Sequence, residues 1–138
     1  MLKENPMVTK KTVTMWNPSD LQDSALSPCH WSWEAIVSPL EEGYGLTIKW
    51  HQHSTDVFLG LPLNCIYYSG LCYLLEELVD MKPLGVIGDL SNVHLYDNAI
   101  EAAQKQLKQR NYKLPTFQFS QKSTILFNKF RGEKGIID

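Results

Sequence analysis

The sequence predicts a single α+β domain in which a long apolar helix lies against a β-sheet. Three observations lead there. Trp31–Val37 and Tyr44–His51 alternate apolar and polar residues, as half-buried strands do. Leu63–Val79 is apolar at nearly every position, the pattern of a buried helix. Finally, the chain has 138 residues, 43% of them hydrophobic, which suits one domain with a real core and excludes an intrinsically disordered chain.

Residues 1–24 are polar and hold Pro6, Pro18, Asn17, Ser19 and Asp20. They read as a mobile segment, 1–15, and then a turn, with the folded domain spanning 16–130. Trp31, Trp33, Ala35 and Val37 fall on one side of the first strand. Pro39 and Glu41-Glu42-Gly43 make a turn, and Tyr44, Leu46, Ile48 and Trp50 share a face of the second strand, so the pair reads as a hairpin. Ser54-Thr55-Asp56 reads as a helix-start cluster, with Pro62 tolerated in a first turn. Glu76, Glu77 and Asp80 mark the point where the apolar helix reaches solvent. Lys82-Pro83-Leu84-Gly85 reads as a breaker. Val86–Tyr96 reads as extended, with a bend or bulge at Gly88 or Ser91-Asn92. Asp97 is the expected cap of a helix over 98–110 whose buried stripe is Ile100, Ala103 and Leu107. Leu114–Phe119 and Thr124–Phe130 read as two further strands, and 131–138 as a frayed tail.

Composition excludes several classes of function. Thirteen basic and fifteen acidic residues give a net charge of -2, no footing for generic nucleic-acid binding. No stretch reaches the ~20 apolar residues of a membrane span. The three cysteines, Cys29, Cys65 and Cys72, form neither a disulfide framework nor a zinc-ribbon spacing. The N-terminus has no secretory pattern. These features predict a reduced, cytoplasmic protein. The four histidines show no metal spacing, so no metal is expected.

Few residues suggest chemistry one by one. Cys29 in Ser27-Pro28-Cys29-His30 is either a nucleophile or a small buried hydrophobe. Cys65 and Cys72, two turns apart on the apolar helix, read as core. Gln52-His53-Ser54-Thr55-Asp56 joins a strand end to a helix start, where free N–H groups favour anions; it also reads as a solvated, capped loop. Asn64 reads as a cap or as an amide that reads the edge of a base. His94 and Tyr96 share a strand face. They can hold one hydroxyl between them, or form a satisfied, half-buried pair.

As a set they say more. Pro28-Cys29-His30, then Gln52-His53-Ser54-Thr55-Asp56 with Phe58-Leu59-Gly60-Leu61-Pro62-Leu63-Asn64, then His94-Leu95-Tyr96, occur in this order and at this spacing. The set closely resembles the thymidylate synthase family. Trp16-Asn17-Pro18-Ser19-Asp20-Leu21 and Ala25-Leu26 resemble the approach to the family's cysteine, and the resemblance runs from about Trp16 to Phe119. It implies a two-layer sheet and helix fold, here its C-terminal portion, whose sheets meet across a homodimer. It implies that Cys29 adds to carbon 6 of the uracil of deoxyuridylate, which activates carbon 5 toward the methylene group of methylenetetrahydrofolate. Hydride transfer then leaves thymidylate and dihydrofolate. By the same resemblance Asn64 reads the pyrimidine edge, and His94 and Tyr96 hold the deoxyribose hydroxyl. Ser54 binds phosphate, Asp56 faces the folate, and Leu59 and Gly60 flank it. His30 and Gln52 lie in the same site. The implied co-substrate is methylenetetrahydrofolate. The implied partners are deoxyuridylate, folate and a second protein chain, with no membrane and no specific nucleic acid.

The sequence also departs from the family. His53 stands where the motif has an arginine that holds the nucleotide phosphate beside the catalytic sulfur. An imidazole is mostly neutral near neutral pH and lacks the guanidinium fork. Weaker nucleotide binding and a less activated thiol follow. Ser91 and Asn92 replace glycine and aspartate of the family's Gly-Asp-x-His stretch. The family's N-terminal portion and its closing C-terminal segment have no counterpart in these 138 residues. Three readings remain: part of a split or truncated thymidylate synthase, a deoxyuridylate hydroxymethylase, or a catalytically silent relative that pairs with a full-length synthase. The departures put activity of the isolated chain in question. Uncovered faces at Trp31, Trp33 and Trp50 are expected to drive association, which a monodisperse monomer in analytical ultracentrifugation would contradict.

Overall fold

The structure, a computed structural model, describes residues 2–9, 11–21 and 23–120. The elements in order are β1 (Thr12–Thr14), α1 (Pro18–Leu21), β2 (His30–Pro39), β3 (Tyr44–Gln52), β4 (Thr55–Asp56), α2 (Gly60–Val79), β5 (Lys82–Leu90), β6 (Val93–His94), a 3-10 turn (Asp97–Ala99) and α3 (Ile100–Leu107). One four-stranded sheet runs in the order β1-β2-β3-β5, and β4 and β6 form a small parallel pair.

Alternation sets the β2–β3 hairpin. Trp33 pairs with Trp50, Ala35 with Ile48 and Val37 with Leu46, so these side chains share the face toward α2. The register slips between His30 and Ser32. The slip takes Trp31 off that face and leaves it 43% exposed, its ring 4.9 Å from that of His51. Trp33 packs against the core, and Trp50 is only 3% exposed. The expectation that all three tryptophans lie open therefore holds for Trp31 alone.

β5 returns parallel to β3 after the α2 crossover. The predicted breaker at Lys82-Pro83-Leu84-Gly85 is instead the start of this strand. Pro83 is tolerated because β5 is a sheet edge. The strand's irregularity falls opposite Leu46 and Thr47, not at Gly88. Gly88 has a different reason: a Cβ there would sit 2.5 Å from Cζ2 of Trp50. Gly88→Ala is therefore expected to lower stability by about 1–3 kcal/mol, since the ring has no room to move in a packed core. An unchanged denaturation midpoint would show that the ring is not confined.

α2 begins at Gly60, three residues before the predicted start. Its sheet-facing side buries Tyr68, Cys72 and Val79 against Ala35, Leu46, Ile48 and Trp50. The prediction that α2 is buried all round fails on the opposite side, where Leu63, Ile66 and Tyr67 are each more than half exposed. The helix ends at Asp80, in the left-handed region at φ 60°, with its N–H bonded to the Glu76 carbonyl at 2.8 Å.

Three further expectations change. Residues Thr12–Thr14, expected within a mobile segment, pair with β2 as β1. Asp97 opens the 3-10 turn rather than capping a helix, and α3 stops at Leu107, where the next residues leave helical pairing. Its proposed buried stripe is not buried: Ile100 is 40% and Leu107 87% exposed. Leu114–Phe119 is irregular instead of a strand, because none of its backbone joins a ladder. Thr124–Phe130 and the tail 131–138 lie outside the described residues.

Candidate active site

The site forms where β2 begins and where β3 and β5 end. His30 and Gln52 are register partners across the hairpin, and Leu90 lies beside Gln52 on β5. Gln52 is 3% exposed, and its amide is held from three sides. Its Oε1 accepts from the Trp50 indole N–H at 3.2 Å and from Asn64 Nδ2 at 3.0 Å. Its Nε2 donates to the Ser54 carbonyl at 2.7 Å. Gln52 also ties the strands together, its carbonyl accepting from the Ser91 N–H at 2.9 Å. A buried amide with these partners is rigid, because any rotation would strand a polar group without water.

Asn64 reaches this network from the second turn of α2. The same helix brings Tyr68, one turn on, under His30. The Tyr68 ring stacks on Trp50 at 4.7 Å and on His30 at 5.5 Å. Its hydroxyl lies 2.8 Å from His30 Nδ1. Beside these groups opens a cleft of about 470 Å³, lined by Met15, Pro28, His30, Leu63, Asn64 and Tyr67.

Cys29 carries a free, half-buried thiol at the edge of this cluster. Its carbonyl accepts the His53 N–H at 3.0 Å, which fixes the cysteine loop against the end of β3. The His53 side chain is exposed, with the Trp16 ring edge-on at 5.6 Å. The Trp16 indole in turn donates to the Pro28 carbonyl at 2.9 Å.

A second group lies on β4 and β6. Asp56 is the register partner of His94, and Val57 donates its N–H to the His94 carbonyl at 3.0 Å. Asn92 makes the turn between β5 and β6 at φ 43°, a conformation that asparagine tolerates better than most residues. Its carbonyl lies 2.7 Å from His94 Nδ1, and its amide 3.5 Å from Ser54 Oγ. The His94 and Tyr96 rings meet edge to face at 4.9 Å. Within Ser54-Thr55-Asp56, Thr55 and Asp56 thus form a short strand rather than the first residues of a helix. Asp56 still serves α2, because its carboxylate accepts the N–H groups of Phe58 at 3.0 Å, Leu59 at 3.3 Å and Gly60 at 3.4 Å.

Charge follows this geometry. Burial pushes the His30 imidazole below its ordinary pKa, and a hydrogen bond with the Asn64 side chain pulls the other way. Burial, then the neighbouring Tyr67, pushes the Tyr68 phenol up to about 12. The backbone N–H of Phe58 above all holds the Asp56 carboxyl below its ordinary value. What Asp56 adds to stability is therefore present at neutral pH and lost as pH falls through its depressed pKa.

Residues 1–134 match the thymidylate synthase family. The chain belongs to the thymidylate synthase family. It is 38% identical over 115 residues to a probable thymidylate synthase of Escherichia phage T5, covering 83% of this chain and 40% of that protein. It is 37% identical over 128 residues to the thymidylate synthase of Buchnera aphidicola subsp. Baizongia pistaciae, covering 93% of this chain and 47% of the relative. The crystal structure of the phage T4 thymidylate synthase superposes with a TM-score of 0.75 at 30% identity, over 94% of this chain and 45% of that one. The chain spans less than half the length of these thymidylate synthases.

Of the residues singled out from sequence, Gln52 and Asn64 share one hydrogen-bonded network, His30 is Gln52's register partner and bonds Tyr68, and Cys29 and His53 are joined through backbone. Asp56, His94 and Tyr96 form the second group, with Ser54 and Asn92 between the two. Leu59 and Gly60 lie where Asp56 meets α2. Sequence reasoning missed Tyr68 and Trp50 as site residues. Both read as core, and only the register of α2 on β3 brings the phenol to His30 and the indole to Gln52. No helix among the described residues is long and apolar enough to cross a membrane.

Proposed function

We propose that this chain carries the cysteine-containing part of a thymidylate synthase site, which moves a one-carbon unit from methylenetetrahydrofolate to deoxyuridylate. The observation that supports this most is the coincidence of the family match with a rigid polar network, Trp50–Gln52–Asn64, beside a free thiol at Cys29.

In this reading Cys29 is the nucleophile, and its proton must leave for it to add to the uracil ring. Asn64, held by Gln52, offers a fixed donor and acceptor to the pyrimidine edge, where charge develops as the sulfur adds. Ser54 and His53 face the nucleotide phosphate. His94 and Tyr96 hold the deoxyribose hydroxyl and so fix the ring against the sulfur, worth several orders of magnitude as effective concentration. Asp56 faces the folate together with Leu59 and Gly60. Three backbone N–H groups orient its carboxylate, and it is ionised at neutral pH, which fits a donor on a pterin ring. Methylenetetrahydrofolate supplies the one-carbon unit and the hydride.

Titration of deoxyuridylate into the chain, followed by the side-chain amide resonances of Asn64 and Gln52, tests the binding half of this reading. Shifts confined to the cleft are expected. Unmoved resonances at saturating nucleotide would contradict it.

A second reading is favoured by the open side of α2, where Leu63, Ile66 and Tyr67 are exposed. Here the chain works as an interaction module that pairs, through this apolar face, with a separately made N-terminal part, a full-length synthase or a second copy. In either reading protein outside these 138 residues covers that face.

A further inference from the structure

We propose that Trp16 is a positioning residue: by holding the Pro28 carbonyl it sets the direction of the Cα–Cβ bond of Cys29. The Trp16 indole can only donate, and its N–H reaches the Pro28 carbonyl at 2.9 Å. From the other side the His53 N–H donates to the Cys29 carbonyl at 3.0 Å. These two carbonyls belong to the peptide units on either side of the Cys29 Cα. Each unit is planar, so only φ and ψ of Cys29 remain free between them, and holding both planes holds both angles. The direction of the Cβ follows from the backbone. The cysteine loop is thus clamped by two donors, one from before it in the chain and one from the end of β3.

Trp16 can do this because it is itself held on both sides. Before it, the β1–β2 pairing continues one residue past Thr14, with the Met15 N–H donating to the Trp31 carbonyl at 2.9 Å. After it, Asn17 closes a turn. The Asn17 Oδ1 accepts the Ser19 N–H at 3.2 Å, its carbonyl accepts the Asp20 N–H at 3.0 Å, and its Nδ2 donates to Asp20 Oδ2 at 2.8 Å. The indole is therefore delivered by ordered backbone on either side. The same ring meets the His53 ring edge-on at 5.6 Å, so one residue touches both the cysteine loop and the side chain at position 53. The value of this placement for addition to a pyrimidine rests on the thymidylate synthase reading; the clamp itself does not.

The test uses the ligand-free full chain labelled with ¹³C and ¹⁵N. In the parent the Trp16 indole proton is expected to exchange with solvent more slowly than an indole open to water. Trp16→Phe keeps a ring beside His53 and removes the donor. It is expected to move the ¹³Cα and ¹³Cβ shifts of Cys29, which report φ and ψ, and to leave those of Cys65 and Cys72 in place. A residue that only adds stability would not move the Cys29 shifts of the folded variant. A folded Trp16→Phe chain with unmoved Cys29 shifts would overturn the proposal, as would changes spread equally over all three cysteines. So would a parent indole proton that exchanges as fast as an open one, and if the variant does not fold this measurement decides alone. Because no nucleotide is present, failure here concerns the clamp, whereas failure of the deoxyuridylate titration concerns the function.

Discussion

Replacing Trp50 by alanine is expected to cost about 3–5 kcal/mol, a large share of the 5–15 kcal/mol by which domains of this kind are stable. Trp50 does three things at once. It fills the space between β3 and the face of Tyr68, stacked at 4.7 Å and 9°. Its edge lies over Gly88 on β5, so it sets how closely the parallel strand packs. Its indole N–H donates to Gln52 Oε1. Alanine removes the filling and leaves a cavity, and it takes away one of the two donors that orient Gln52. Trp50→Phe keeps most of the volume but loses the N–H, so it separates packing from orientation. Denaturant midpoints of the two variants check this. A Trp50→Ala loss below about 1 kcal/mol would mean that the core relaxes around the gap far more than packed interiors do.

His53→Arg is expected to raise affinity for deoxyuridylate roughly ten- to a hundredfold, the worth of one charge-assisted contact of about 1.5–3 kcal/mol. The His53 backbone is already fixed against Cys29, while its side chain is exposed beside Trp16. A guanidinium there can lie over the indole and carry its fork toward a phosphate near the thiol. The gain should shrink as salt rises, because the added term is electrostatic. Calorimetric titration of both chains at two ionic strengths measures it. Equal affinities would mean that position 53 does not meet the phosphate, and the carried-over role of this residue would fall.

Much of the scaffold was legible in sequence because it is local. The β2–β3 hairpin follows from alternation, and α2 from an apolar run of helical length. What was not legible depends on partners distant in sequence. β5 hides behind Pro83 and Gly85, which read as a stop until β3 lies alongside. Gly88 looks like a bend but is a clearance for the Trp50 ring. α2 reads as buried on all sides, and yet Leu63, Ile66 and Tyr67 lie open. Hydrophobicity reports that a face is to be covered, not what covers it. The same holds for Ile100 and Leu107 of α3.

The site residues were legible in a different way. Cys29, Asn64, His94 and Tyr96 are each ambiguous alone, and only their order and spacing single them out. Their supports carry no such mark. Trp16, Trp50 and Tyr68 look like ordinary aromatic packing until the fold sets an indole N–H against Pro28, another against Gln52 and a phenol against His30.

The most direct measurement of the central claim is a covalent trap. The chain is incubated with methylenetetrahydrofolate and the fluorinated analogue of deoxyuridylate, which blocks departure from carbon 5, and is then read by intact-mass spectrometry and peptide mapping. An adduct on Cys29, absent in Cys29→Ser, is the expected result of a site that binds nucleotide and adds the thiolate. A folded chain that stays unmodified at saturating ligands would contradict the enzyme reading and leave the interaction module in its place.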